Sequence, residues 1–170
     1  MNIMQSISKE KIPQIIHYFY DSDINIWGKN KDSQLRMCYY SWLKFCPDYK
    51  IMHWHDKMPE FQDILKKSKF VKKAYELKIW AFVADYVRLY ALNKYGGIYL
   101  DTDVQLLGNF DNFLNEQFFL SIEGDILYGK NVPEPAIMGG VKEHIVFQEA
   151  MKLYESDTIF ATDNFVANVI

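Results

Sequence analysis

Residues 85–104 read DYVRLYALNKYGGIYLDTDV. The run that leads into this stretch, from about Tyr75 to Lys94, carries Leu77, Ala81, Ala84, Val87 and Ala91 at i, i+3, i+4 spacing. That period predicts an amphipathic helix with those residues facing a core. Gly96 and Gly97 follow a last turn that holds Lys94, and glycine ends helices because it enters the left-handed region without steric cost. Ile98, Tyr99 and Leu100 then form a short apolar run suited to a strand. Such a strand delivers Asp101 and Asp103 at its carboxyl end, two residues apart and so facing the same way.

Two carboxylates so placed repel one another and lose solvation unless positive charge sits between them. A basic side chain or a cation meets that need, and Mg²⁺ or Mn²⁺ shared with a phosphate ligand suits an oxygen-only donor set. An Asp-x-Asp pair alone is also what a solvated turn would use. Asp85 and Arg88 change the balance, because they lie i and i+3 on one helix face and interrupt a largely apolar surface. A buried or half-buried arginine needs a fixed anionic partner, whether Asp85, the paired aspartates or a bound phosphate. Helix and strand are therefore expected to build one site.

Outward from this centre, the pattern predicts strands at 14–20, 50–55 and 98–101, helices at 33–46 and through 60–95, further strands at 117–123 and 135–139, and a helix at about 143–155. Alternation of this kind predicts an α/β fold, a mainly parallel sheet flanked by helices, with ligands at the carboxyl ends of the strands. The 170 residues suit one domain, and 49% hydrophobic content is enough for a substantial core. A net charge of −3 excludes a general nucleic-acid binder, which needs a basic footprint. No window reaches the length of apolar sequence that a membrane-spanning helix requires, and MNIMQSISKEKIP lacks the apolar stretch of a signal peptide; a cytoplasmic location is the expectation. Cys38 and Cys46 stand eight helical residues apart, roughly 12 Å, too far for a disulfide, and read as reduced core thiols. His53 and His55 share a strand face, and His17 points into the core of the first strand. Lys66, Lys67, Lys69, Lys72 and Lys73 form a basic run, either a solvated helix face or a contact with anionic lipid.

The residues Asp85, Arg88, Leu92, Gly96, Gly97, Tyr99, Asp101 and Asp103 together resemble the DXD-containing sugar transferases, a family with members among yeast initiating α-mannosyltransferases, bacterial capsular-polysaccharide transferases and the glucosyltransferase domains of large clostridial toxins. IPQIIHYFY at 12–20 is similar to the family's opening strand, and SWLKFCPDYKIMHWHD at 41–56 to its next helix and strand. Beyond Leu107 the likeness rests mainly on AIMGG at 136–140 and the helix after it. The resemblance implies a GT-A type nucleotide-diphospho-sugar transferase domain over 1–170, with a nucleotide-sugar half at about 12–107 and an acceptor-side half at about 108–170. The chain ends at NFVANVI, where family members usually continue into a segment that closes over the donor, so a shortened or minimal member is implied.

The same resemblance implies roles. Tyr20 would stack on the base and Phe19 would meet it through its backbone, with Tyr99 beside them. Asp85 and Arg88 would hold ribose and sugar hydroxyls. Asp101 would sit near ribose and metal-bound water, and Asp103 would ligate Mn²⁺ or Mg²⁺ directly. The implied partners are a nucleotide-diphospho-sugar, with UDP favoured, and a saccharide or lipid-linked saccharide acceptor, with Glu123 and Asp125 as candidate acceptor-side carboxylates. Retention of the anomeric configuration and a bacterial surface-polysaccharide setting, with the enzyme peripheral at the inner membrane face, complete the expectation. Rival readings are a catalytically silent sugar-nucleotide binding module, a structural α/β partner domain, and an aspartyl phosphatase; the last normally wants Thr or Val where Gln105 stands.

Overall fold

The computed structural model describes residues 10–21, 33–125 and 130–156. The 22–32 segment and the C-terminal NFVANVI lie outside them. The elements run β1 (Ile15–Phe19), α1 (Ser33–Phe45), β2 (Lys50–Trp54), α2 (Pro59–Lys67), α3 (Lys69–Glu76), α4 (Trp80–Tyr95), β3 (Gly97–Leu100), a 3₁₀ turn (Asp111–Phe113), β4 (Phe118–Asp125), β5 (Lys130–Gly140) and α5 (Ile145–Glu155). Successive strand residues point to opposite faces, and each face has its own core. Ile16, Tyr18, Ile98 and Leu100 pack with Trp42 of α1 on one side. Phe19, Trp54, Tyr99 and Met138 pack with α2, α3, α4 and α5 on the other. Helices therefore cover both faces of the sheet.

The five strands lie in the order β2-β1-β3-β5-β4. β1 pairs parallel with β2 and β3, as expected for the half that carries the Asp-x-Asp stretch. The other half is antiparallel, β5 running against both β3 and β4, so the sheet is mixed rather than mainly parallel. The reason lies in the connections. β4 and β5 are consecutive strands separated only by residues 126–129, a link too short for a parallel crossover, so they run antiparallel; β5, the returning strand, is the one that lies beside β3. β4 and β5 are longer than the sequence pattern suggested, because their outer ends form an exposed ribbon in which Ile122 and Val132 face solvent.

The expected helix from Tyr75 to Lys94 is two helices. α3 ends at Glu76, Leu77 caps it, Lys78 takes φ 58°, and α4 begins at Trp80. Leu77 is consequently exposed at the break. Val87 and Ala91 are buried as expected, whereas Ala81 and Ala84 face a cavity. The stop is where glycine predicted it: Gly96 has φ 64° and its N–H reaches the Leu92 carbonyl at 2.8 Å. Gly97 has φ 107°, and a Cβ there would lie 2.7 Å from the Ile15 carbonyl oxygen, so only glycine lets β3 approach β1 this closely.

Buried polar groups support the sheet. His17 is fully buried; its Nε2–H donates to the Gly96 carbonyl at 2.9 Å and its Nδ1 accepts from Trp54 Nε1–H at 3.1 Å. Those partners fix the neutral tautomer, and burial lowers its pKa to about 4. Cys38 and Cys46 are buried and unbridged, and burial pushes the Cys46 thiol up to about 11. His53 stacks on Tyr18 at 4.6 Å between ring centroids. No helix among the described residues is long and apolar enough to cross a membrane.

Candidate active site

A cavity of about 590 Å³ opens at the carboxyl ends of β1 and β3, beside the N-terminal half of α4. Phe19, Tyr20, Asp85, Arg88, Tyr99, Asp101 and Asp103, the residues singled out in the sequence, all line it. Two parallel strands deliver them. β1 ends at Phe19, so Tyr20 stands at the rim, where its N–H is fixed to the Trp54 carbonyl at 3.0 Å. β3 ends at Leu100, so Asp101 and Asp103 sit in the turn beyond it and not on the strand itself; the Val104 N–H closes that turn on the Asp101 carbonyl at 3.1 Å.

Arg88 forms the floor, with only 7% of its side chain exposed. Its Nη2 lies 3.0 Å from Asp85 Oδ1 and 3.3 Å from Asp101 Oδ1, and its Nη1 donates to the Pro135 carbonyl at 2.7 Å. The guanidinium carbon stands 5.0 Å from the Tyr99 ring centroid, a cation–π contact on a buried ring. Its Nε is buried without a partner. One planar fork thus gathers the helix carboxylate, the first aspartate of the turn and a carbonyl of β5.

The charge does not balance. Burial raises the Asp101 carboxyl to about 6; Arg88 opposes the shift, while Asp103, Glu134 and Asp85 add to it. Burial also raises Asp85, again against Arg88 and with Glu134. Several carboxylates thus share one guanidinium, and the surplus negative charge favours a further cation. The donor set is all oxygen, which suits Mg²⁺ or Mn²⁺. Among the described residues no group of three or more His, Cys, Asp or Glu is arranged as a metal cage. A cation held by Asp101 and Asp103 would have to complete its shell with phosphate and water.

Trp80, Asp21, Leu35 and Thr102 also line the cavity and were not singled out in the sequence, and so do Ala81 and Ala84, which the sequence placed in the core. On α4 they were within reach: Trp80, Ala81, Ala84, Asp85 and Arg88 fall on one helical face, where small residues leave room for a ligand and Trp80 adds to the aromatic lining. Asp21 and Leu35 come from segments that no periodicity links. Glu134 was likewise missed, since KNVPEP reads as loop. Glu123 lies outside this cavity, in a smaller one with Ser121, Ile122 and Glu134.

Known proteins resemble this chain in sequence and in fold. The profile of glycosyltransferase sugar-binding regions containing the DXD motif matches residues 32–120. Mannosyl phosphorylinositol ceramide synthase of Saccharomyces cerevisiae is 28% identical over 155 residues, which cover 83% of this chain and 34% of that protein. An uncharacterized glycosyltransferase of Acanthamoeba polyphaga mimivirus is 31% identical over 114 residues, 65% of this chain and 43% of that one. The chain thus spans well under half the length of either relative. The solved structure of PaToxG glycosyltransferase superposes with a TM-score of 0.64 at 15% identity, covering 94% of this chain and 64% of that one, and shares the GT-A type fold. With the profile extending over more than half of the sequence and taking in α4, β3 and the Asp101–Asp103 turn, the protein belongs to the family of glycosyltransferase sugar-binding regions that contain the DXD motif.

Proposed function

We propose that the cavity binds a nucleotide-diphospho-sugar with Mn²⁺ or Mg²⁺, and that the protein is a glycosyltransferase moving the sugar to a hydroxyl of a saccharide or lipid-linked saccharide. The observation that carries this reading is the Arg88 fork held between Asp85 and Asp101 in a cavity rimmed by Tyr20 and Trp80. Tyr20 stacks on the base, with Trp80 a further aromatic face in the same cavity, since aromatic faces give contact area at low entropic cost. The Phe19 backbone meets the base edge. Asp85 accepts from ribose or sugar hydroxyls, and Arg88 aims the remaining capacity of its fork at hydroxyl or phosphate oxygens. Asp103 would hold the cation, with Asp101 beside it. The bound cation would offset the charge that develops on the leaving diphosphate.

UDP is favoured by the resemblance to toxin and capsular enzymes, as is retention, with the leaving diphosphate assisting removal of the proton from the incoming hydroxyl. The yeast relative's name refers to a mannosyl phosphorylinositol ceramide; carried over, this favours a lipid-borne acceptor. The bacterial surface-polysaccharide setting at the cytoplasmic face rests on resemblance alone, since these relatives come from a yeast and a virus. A second reading, a silent sugar-nucleotide binding module, shares the same site.

Calorimetric titration of UDP and GDP, with and without Mn²⁺, against the wild type and Asp103→Ala tests the proposal. Metal-dependent binding of one nucleotide, lost in the variant, is the expected result. Binding without hydrolysis or transfer across a panel of UDP- and GDP-sugars would favour the silent module. No metal-dependent binding by a folded wild-type chain would sink both.

A further inference from the structure

The loop that carries both motif aspartates, residues 101–106, has no regular secondary structure, yet it is hydrogen-bonded from two sides. On one side stands a row on α1. Cys38 Sγ–H donates to the Asp103 carbonyl at 3.2 Å, Trp42 Nε1–H donates to the Val104 carbonyl at 2.8 Å, and Ser41 Oγ accepts from the Leu106 N–H at 2.8 Å. These three side chains are i, i+3 and i+4 on one helix, hence on one face. Trp42 is fully buried and Ser41 nearly so.

On the other side stands a bulge in β5. The β4–β5 ladder pairs Leu120 with Met138 but Ser121 with Glu134, so Pro135, Ala136 and Ile137 have no register partner on β4. The Pro135 carbonyl turns to Arg88, and the Ala136 carbonyl accepts from the Asp101 N–H at 2.9 Å. Glu134 locks this shape, since its Oε2 accepts from the Ala136 N–H at 2.7 Å. Ser121 Oγ spans the bulge, donating to the Glu134 carbonyl and accepting from the Ile137 N–H. Bulges re-aim backbone beside functional sites, and this one aims one carbonyl at Arg88 and the other at the backbone N–H of Asp101.

We propose that Ser41, Trp42 and Glu134 are positioning residues of the donor site, a two-sided clamp that sets the 101–106 loop in its ligand-binding shape before any nucleotide arrives. Two mutually repelling carboxylates on an unsupported loop would spread apart, and drawing them together would then cost binding energy. A clamp settled at folding removes that cost. The functional half of the proposal rests on the donor-site reading; the clamp itself can be observed without ligand.

Two measurements separate the parts. Hydrogen exchange of peptides spanning 97–106 is followed without nucleotide in the wild type, Trp42→Phe, Glu134→Ala and Glu134→Gln. Calorimetry with UDP and GDP, each with Mn²⁺, follows on the same proteins. Phenylalanine removes the N–H donor together with part of the buried indole, so the Glu134 pair isolates the hydrogen bond, since glutamine keeps an oxygen for the Ala136 N–H. Expected are at least tenfold faster exchange of the loop in Trp42→Phe and Glu134→Ala, recovery of protection in Glu134→Gln, and roughly tenfold weaker nucleotide binding in the first two, as a lost hydrogen bond of about 1.4 kcal/mol implies. If Trp42→Phe fails to fold, the Glu134 pair decides. Unchanged loop exchange in Glu134→Ala overturns the clamp. A loosened loop with wild-type nucleotide affinity overturns its role in donor binding. A protected loop in a wild type that binds neither nucleotide rejects the donor-site reading and, with it, the assigned purpose of the clamp.

Discussion

A guanidinium buried among carboxylates tolerates few replacements. Lysine at position 88 keeps the charge but not the planar fork that reaches Asp85, Asp101 and the Pro135 carbonyl together. Arg88→Lys is therefore expected to weaken nucleotide binding at least tenfold while leaving a folded protein, as calorimetry and thermal melting would show. Arg88→Ala leaves Asp85 and Asp101 without their counter-charge and should cost about 3 kcal/mol of stability. Because burial already raises both carboxyls, they can take up protons as pH falls. The cost in denaturant titrations should thus be larger at pH 8 than at pH 5.5, and equal costs would place the damage elsewhere. His17 gives a pH signature of its own. Its folded pKa near 4 lies below the ordinary 6.5, so the unfolded chain binds the proton more readily between those values. The stability contributed is complete above pH 6.5 and is lost as pH falls towards 4. The difference in stability between wild type and His17→Gln should shift by about 2 kcal/mol between pH 7 and pH 5, because titration common to both proteins cancels. A flat difference would mean that the imidazole takes up its proton without leaving the core.

At the scale of elements, α4 and β3 owe their mutual placement to the glycine pair. Gly97→Ala would drive a Cβ into the Ile15 carbonyl and against His17 Nε2 at 3.1 Å, at a residue whose φ already disfavours side chains. A loss of about 2–3 kcal/mol in urea melts is expected, with weaker nucleotide binding, because displacing β3 moves Asp101 at its end. These elements were readable because their signals are local: the stop at Gly96, the Asp85–Arg88 spacing and the apolar run of β3 are each contained within a few residues. The break between α3 and α4 was missed because Leu77 fits the helical period, while a positive φ at Lys78 has no marker in residue type. The length of β5 was missed because Pro133 and Pro135 argue against a strand. β5 pairs with β3 only over residues 137–140, opposite Gly97 to Leu100, so the prolines lie past the end of β3, where no donor is needed on that side.

For the whole molecule, two cores on opposite faces of a mixed sheet leave one end of the parallel half open, and the cavity occupies that end. A ligand that binds only the folded state should stabilise all of it. At a hundred times the dissociation constant the gain is about 2.7 kcal/mol, which for a domain of this size corresponds to roughly 5–10 °C in Tm. Saturating UDP or GDP with Mn²⁺ should produce that rise for one of the two, and EDTA should reverse it. A nucleotide-induced shift indifferent to EDTA would argue against a shared cation.

The sequence by itself determined the α/β class, the order of the elements, and the side chains that meet at the cavity, because periodicity, glycine stops and the spacing of charged residues are encoded within single elements. The direction of β5, the turn that separates Asp101 from its strand, the place of Glu134, and the grip of α1 and the β5 bulge on the 101–106 loop were decided only by the tertiary structure. They depend on carbonyls and amides that every residue possesses and on which strand arrives beside which, and residue type carries no record of either.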